Sequence, residues 1–177
     1  MNVPNILTLI RIILIPIYLM IFFSNMENRI LYAGIIFILA GISDILDGHI
    51  ARKHNLITKL GSVLDPFADK MMTFAVLISF TKAELIPSWI LKALGVKEAI
   101  MILGGAILYL FKGNQVLPSN KYGKIATASF YAAALSIIFH LPQGLSKGLF
   151  WGTVVLNVLA FFNYFMSYLT LRKKTHP

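Results

Sequence analysis

Four of the seven acidic residues in this chain, Asp44, Asp47, Asp65 and Asp69, fall within one apolar stretch, GISDILDGHIARKHNLITKLGSVLDPFADKMM. A charged side chain inside a membrane helix costs at least about 2.5 kcal/mol on insertion scales, so it needs a partner or a task. Four carboxylates converging would repel each other strongly unless cations lie between them. A divalent metal site facing water is the economical solution, and such a site implies chemistry or transport.

Spacing turns the four acids into a geometry. Asp44 and Asp47 are three apart, and Gly48 and Ala51 continue the same face of a predicted helix. Asp65 and Asp69 are four apart, and Gly61 lies four before Asp65, so these three share a face of the next helix. The connection from Arg52 to Leu60 is short enough to make the two helices antiparallel neighbours whose acidic faces meet at the cytoplasmic end. Oxygen-only ligands suit a hard cation, Mg²⁺ first and Mn²⁺ or Ca²⁺ next, and four carboxylates could hold two ions. Gly48 and Gly61 leave room for a bulky ligand to approach the backbone. Arg52, one turn past Gly48, sets a guanidinium where phosphate oxygens would sit. Metals, an arginine and glycines together describe a cradle for a diphosphate. Salt bridges to Lys53, Lys59 and Lys70 are the plainer reading of the acids, but they leave the glycine spacing unexplained.

The elements that must carry this site are membrane helices. Hydrophobic residues make up 58% of the 177 positions, charged residues only 13%, and mean hydropathy is +0.77; average soluble domains are about 25% charged. Apolar stretches near 5–24, 29–51, 61–82, 86–111, 122–141 and 147–171 are each long enough to cross the hydrocarbon as a helix. The expectation is an all-α integral membrane protein, one bundle of about six transmembrane helices forming a single domain over residues 1–177, with no sizeable soluble part. The opening MNVPNILTLIR has no basic segment before its apolar run, so a retained first span is expected and not a cleaved leader. With no cysteine, disulfide and thiolate chemistry are excluded.

A net charge of +9 raises nucleic acid as a partner, but its distribution argues against that. With the first helix starting in the cytoplasm, that side carries Arg52, Lys53, Lys59, Lys112, Lys121, Lys124, Arg172, Lys173 and Lys174, against Arg29, Lys82 and Lys147 opposite. This asymmetry fits the positive-inside rule with both termini cytoplasmic. The basic surface also suits anionic head groups and phosphorylated substrates. Topology alone does not explain Arg11, Lys70, Lys97 or Lys124, which lie within or beside the spans. Pro66 directly follows Asp65, and irregular backbone at membrane depth is tolerated where it lines a polar cavity. Small residues at helical spacing, Ala126, Ser129, Ala133 and Ser136, point to close helix packing.

The pattern Asp44-x-x-Asp47-Gly48-x-x-Ala51-Arg52, eight residues, Gly61-x-x-x-Asp65-x-x-x-Asp69 resembles the complete signature of the CDP-alcohol phosphatidyltransferases. The opening Asn2-Val3-Pro4-Asn5-Ile6-Leu7-Thr8 with Arg11, and the run Leu64 to Lys70, are similar to the bacterial phosphatidylglycerophosphate synthase branch of that family. The resemblance implies a six-helix bundle in the cell membrane, a homodimer, and an active site facing the cytoplasm. It implies transfer of a phosphatidyl group from CDP-diacylglycerol to an alcohol with release of CMP. Asp44, Asp47, Asp65 and Asp69 would hold Mg²⁺ or Mn²⁺, two ions in all, and Asp69 is also assigned as general base. Asn5, Thr8, Gly48, Ala51, Arg52 and Gly61, with Asp44 and Asp65, would form the CDP pocket.

The acceptor side departs from that branch. Its fourth helix presents an Arg-Glu pair with a second Arg two turns later, whereas this chain has Lys97-Glu98 and Gly105. Its fifth helix begins Gly-Lys-x-Lys-Thr, whereas this chain reads Gly123-Lys124-Ile125-Ala126-Thr127. Glycerol 3-phosphate remains the favoured acceptor, its phosphate held by Lys97, Lys121 and Lys124. A cardiolipin synthase of the same family, using the monoanionic diester phosphatidylglycerol, is the competing reading. Lys97-Glu98 also reads as an intramembrane ion pair supporting the bundle. Metal-dependent prenyltransferases lack the Gly-Ala-Arg-Gly frame, and a cation transporter would not set Arg52 in its pathway. His49, His54, His140 and His176 lack ligand spacing, and Trp89 and Trp151 suit interfacial anchoring.

Overall fold

The computed structural model describes residues 3–53, 61–111 and 121–174, with side chains for 6–50, 53, 67–101, 121–164 and 166. These residues form six α-helices, and no strand occurs among them: α1 (Val3–Phe22), α2 (Arg29–Lys53), α3 (Gly61–Lys82), α4 (Ser88–Phe111), α5 (Lys121–Ile138) and α6 (Gln143–Lys174). Each coincides with one expected apolar stretch. The largest shift is at α6, which starts at Gln143, before the apolar run. Leu145 N and Ser146 N both donate to Pro142 O, so the polar segment Gln143–Gly148 is helical and not a loop.

The chain divides into two compact units, Met1–Leu85 and Ile86–Pro177. In the first, α1 packs along α2 and α3, which share a smaller contact with each other. The reason lies in the stripe of residues each helix buries. On α1 the stripe is Thr8, Arg11, Ile15, Tyr18 and Phe22, at alternating three- and four-residue spacing. On α2 it is Ala33, Phe37 and Ala40, continuing to Asp47. On α3 it is Ala68, Met72, Ala75, Val76 and Ser79. Phe22 meets Phe80 with ring centroids 5.9 Å apart, which brings the C-terminal ends of α1 and α3 together. In the second unit α5 and α4 both pack on α6. There α6 buries Ser146, Phe150, Thr153, Asn157 and Ala160, again at four-and-three spacing. The small residues of α5 serve packing: Ala126, Ala133 and Ser136 are buried, and the Ser129 and Ser136 hydroxyls donate to the carbonyls of Ala126 and Ala133.

Faces turned away from these cores are apolar as well. Ile13, Met20, Ile45, Phe162 and Met166 are all exposed, Met20 by 75% and Ile45 by 71%. A helix apolar all round belongs in a large core or in lipid. Among the described residues, two helices contain 22-residue stretches long and apolar enough to cross a membrane, Arg29–Ile50 and Gln143–Tyr164, and Ile6–Phe22 is a shorter apolar helix.

Two helix ends share an unusual device. After α3, Leu85 N donates to Phe80 O (2.9 Å) and Glu84 N to Thr81 O (3.1 Å). After α5, Leu141 N donates to Ser136 O (2.9 Å) and His140 N to Ile137 O (3.0 Å). Both are Schellman ends, in which the residue after the cap adopts the left-handed conformation normally given to glycine. Here it is Glu84 (φ 57°) and His140 (φ 52°), and a proline follows two or three residues later in each case. Replacing His140 by Gly is expected to stabilise the protein by about 0.5–1 kcal/mol, since the side chain no longer opposes the turn. The thermal unfolding midpoint in detergent should rise; a fall would show that the His140 side chain makes a contact worth more than the backbone relief.

Candidate active site

The buried faces of α1 and α2 turn polar toward one end, where Thr8, Arg11, Ser43 and Asp47 are all buried. Arg11 is 1% exposed and lies between the two α2 acids. Its Nη1 is 2.9 Å from Asp44 Oδ1, and its Nη2 donates to Asp47 Oδ2. One guanidinium thus spans two carboxylates from successive turns of the facing helix, a use to which its planar fork of donors is suited. The acids differ in setting: the Asp47 side chain is 3% exposed and that of Asp44 41%. They differ in bonding too. Arg11 makes an aligned hydrogen bond to Asp47, whereas its approach to Asp44 is an ion pair without hydrogen-bond alignment. Arg11 Nε finds no acceptor among the described residues.

The other expected site residues are placed as follows. Thr8 is fully buried on α1, one turn before Arg11 and on the same stripe. Gly48 follows Asp47 and is half-buried. Asp69 on α3 is half-buried, with Lys70 Nζ 3.8 Å from its Oδ2, and its main-chain carbonyl accepts from Thr73 Oγ1 at 3.1 Å. The ion-pair reading of the acids is realised there, and Arg11, a cation not considered among the lysines, is a partner of both Asp44 and Asp47. Asn5, Ala51, Arg52, Gly61 and Asp65 lie on α1, α2 and α3, but their side chains are outside the described residues. Among the described residues no three acids or histidines converge into a metal-ligating group. Among the described residues, Asp44 and Asp47 are brought together on an arginine.

In the second unit Lys97 is committed to neighbours. Its Nζ donates to Glu98 Oε1 (2.7 Å) and to Asn157 Oδ1 (3.0 Å), while Asn157 Nδ2 donates to Thr153 O (2.9 Å). Glu98 is 6% exposed, so this is a polar clasp between α4 and α6 within their packed surface. Lys121 and Lys124 are exposed on the first turn of α5. Between them Gly123 faces Tyr164 of α6, and a Cβ added there would lie 2.9 Å from the Tyr164 hydroxyl. Gly105 lies outside the residues with described side chains. Trp89 and Trp151 pair with each other, their ring centroids 4.5 Å apart.

Sequence reasoning singled out Arg11 as unexplained by topology but did not place it in the site. The available signal was its register: it falls on the same stripe as Thr8, Ile15 and Tyr18, so it had to face the neighbouring helix. Asn157 gave a fainter signal as a lone amide in an apolar helix, and Tyr164 gave none.

The family model for CDP-alcohol phosphatidyltransferase matches residues 1–159, a span that includes all four acids and runs through both compact units. The chain belongs to the CDP-alcohol phosphatidyltransferase family. It is 34% identical to the CDP-diacylglycerol–glycerol-3-phosphate 3-phosphatidyltransferase of Bacillus subtilis (strain 168), over 93% of both chains. It is 29% identical to the protein of the same name from Rickettsia typhi, over 94% of this chain and 93% of that one. To the one from Aquifex aeolicus it is 39% identical, over 77% of this chain and 75% of that one. In this phosphatidyltransferase the acid-bearing helices α2 and α3 belong to one unit, and Lys97, Lys121 and Lys124 to the other.

The burial asymmetry of the acids makes a prediction. Asp47→Ala leaves the Arg11 guanidinium buried without its hydrogen-bonded partner, and removing one side of a buried pair costs about 3–5 kcal/mol. Asp44→Ala, at a half-exposed end, should cost about 1 kcal/mol or less. Thermal unfolding of the two variants in detergent checks this, and equal losses would contradict the asymmetry.

Proposed function

We propose that this protein transfers the phosphatidyl group of CDP-diacylglycerol to glycerol 3-phosphate, releasing CMP and forming phosphatidylglycerophosphate. One observation carries the reading: the convergence of Asp44 and Asp47 on a single cationic group, inside the acid signature of a chain matched nearly end to end by relatives of that activity.

In the reaction the acceptor hydroxyl oxygen attacks the phosphorus that bears the diacylglycerol. The bond from that phosphorus to the CMP oxygen breaks, and the hydroxyl proton passes to a base. Asp69 is the base in this reading: it is half-buried on α3, with Lys70 Nζ 3.8 Å from its Oδ2. The all-carboxylate donor set fits Mg²⁺ or Mn²⁺, and two carboxylates already turn oxygens toward one cation, so Asp44, Asp47, Asp65 and Asp69 are the residues that would hold two ions. Bound there, the ions would neutralise the diphosphate and stabilise the departing CMP. Thr8, Asn5, Gly48, Ala51, Arg52 and Gly61 would line the CDP pocket, the glycines by leaving space and Arg52 by its charge.

The acceptor phosphate is assigned to Lys121 and Lys124, with Lys97 contributing only if it leaves Glu98 and Asn157. That commitment of Lys97 favours a second reading, in which the acceptor is phosphatidylglycerol and the product cardiolipin, because a monoanionic diester asks for fewer cations. All six helices are taken as membrane spans, with both termini and the acid site on the cytoplasmic side and the protein a homodimer in the cell membrane. The apolar outer faces of α1, α2 and α6 and the one-sided distribution of lysine and arginine support this arrangement.

Purified protein supplied with CDP-diacylglycerol and Mg²⁺ should release CMP when glycerol 3-phosphate is added. Release with phosphatidylglycerol alone would replace the first reading by the second. Asp65→Asn and Asp69→Asn should each lower turnover by at least about a thousandfold, the scale expected for loss of an ion ligand or a catalytic base. Both variants should still insert and purify, and full activity in both would sink the carboxylate mechanism.

A further inference from the structure

The acceptor lysines sit on a turn whose own placement depends on a glycine and a tyrosine. Gly123 lies between Lys121 and Lys124, three residues before buried Ala126, and so continues the stripe Ala126, Phe130 and Ala133 by which α5 packs on α6. Opposite it is Tyr164, four residues beyond buried Ala160 on α6. A Cβ added at Gly123 would lie 2.9 Å from the Tyr164 hydroxyl oxygen, 3.3 Å from Cε2 and 3.5 Å from Cζ. The edge of the ring, and not a single atom, fills the space of a side chain. The Gly123 carbonyl accepts from Thr127 Oγ1 at 3.1 Å, so the glycine is engaged both by its own helix and by α6. Lys121 and Lys124, three apart, share a face of this turn and are exposed.

We infer that Tyr164 is a positioning residue for the acceptor phosphate: by resting against Gly123 it fixes the first turn of α5, and with it the point from which Lys121 and Lys124 reach out. This rests on the assignment of the acceptor phosphate to those lysines given above. Glycine lowers helix stability relative to alanine, and here its missing side chain is what lets the ring meet the lysine-bearing backbone. Two ammonium groups on flexible stems hold one phosphate together only when their backbone origins are set, since each stem left to search costs entropy on binding. A side chain at position 123 would force ring and turn apart, opening the contact from 2.9 Å to at least 3.4 Å, where ordinary van der Waals contact begins. The phosphate contact exists in the bound substrate and in the transition state alike, so its disturbance appears in KM and not in kcat. Tyr164 acts through the lysines and touches neither substrate.

The test is CMP release by the detergent-solubilised protein with CDP-diacylglycerol and Mg²⁺ while glycerol 3-phosphate is varied. Gly123→Ala should raise KM for glycerol 3-phosphate about tenfold, the scale of a sub-ångström misplacement, while kcat and KM for CDP-diacylglycerol hold. Alanine otherwise suits a helix better than glycine, so the loss reports the clash. Adding Tyr164→Phe, which removes the atom that meets the new methyl group most closely, should recover most of that loss. Tyr164→Leu, which withdraws the ring and lets the turn relax, should raise the same KM, and it serves if Gly123→Ala does not fold. An unchanged KM for glycerol 3-phosphate in these variants, a fall in kcat in its place, or no recovery in the double variant would overturn the positioning role. A loss in Tyr164→Phe alone as large as that in Gly123→Ala would overturn it too, because the hydroxyl would then serve the acceptor itself. Lys124→Gln separates this from the assignment beneath it. Its KM for glycerol 3-phosphate should rise, and an unchanged value would remove the lysine from the acceptor site and the inference with it.

Discussion

A single buried guanidinium fixes how the first unit is assembled. Arg11 faces two acids one turn apart on α2, and its guanidinium and the Asp47 carboxylate are both buried where the helices pack. The pairing also sets register. Sliding α1 along α2 by one turn would keep many apolar contacts, since Ile15, Tyr18 and Phe22 could find other partners among Ala33, Phe37 and Ala40. It would leave charges opposed to hydrocarbon. Apolar packing holds the helices together, and the charged triad selects one alignment among several of similar packing energy.

The second unit solves a similar problem with weaker chemistry. Lys97 and Glu98 are adjacent in sequence and neutralise each other on one helix, and Asn157 needs to contribute only an amide from α6. The clasp ties α4 to α6 without facing one full charge from each helix against the other. It also draws on a lysine that the acceptor phosphate would otherwise find available. The two units thus use their buried charges differently: one gathers acids around a cation from another helix, and the other pairs its charges on a single helix.

Much of this was legible in the sequence. Six apolar stretches became six helices because length and hydropathy leave little choice for such segments. The four acids announced themselves because carboxylates are rare and costly in that setting. Helix ends were less legible. The start of α6 reads as a polar loop, since glycine, serine, lysine and glutamine are poor span residues, yet Pro142 offers its carbonyl to two successive amides and helix follows. The ends at Glu84 and His140 lack the expected glycine, so no residue marks them. The partner of the acids was the main omission. Lysines close in sequence drew attention, whereas the cation that reaches Asp47 lies 36 residues away on another helix. Pairing of that kind becomes visible only when buried stripes are laid against one another.

The separation of Arg11 from its acids also has a consequence for how the chain is made. A ribosome adding about 5–20 residues per second needs about 2–7 s to go from Arg11 to Asp47. During that interval α1 carries an uncompensated positive charge near its middle, and its apolar run is the shorter Ile6–Phe22. Such a helix is a poor candidate for release into lipid by itself. If α1 is inserted in a membrane, it is better retained until α2 emerges, so that the two pair with their charges already matched. The order of synthesis and the ion pair then bear on the same two helices: the first cannot reach its final pairing until Asp44 and Asp47 have been made.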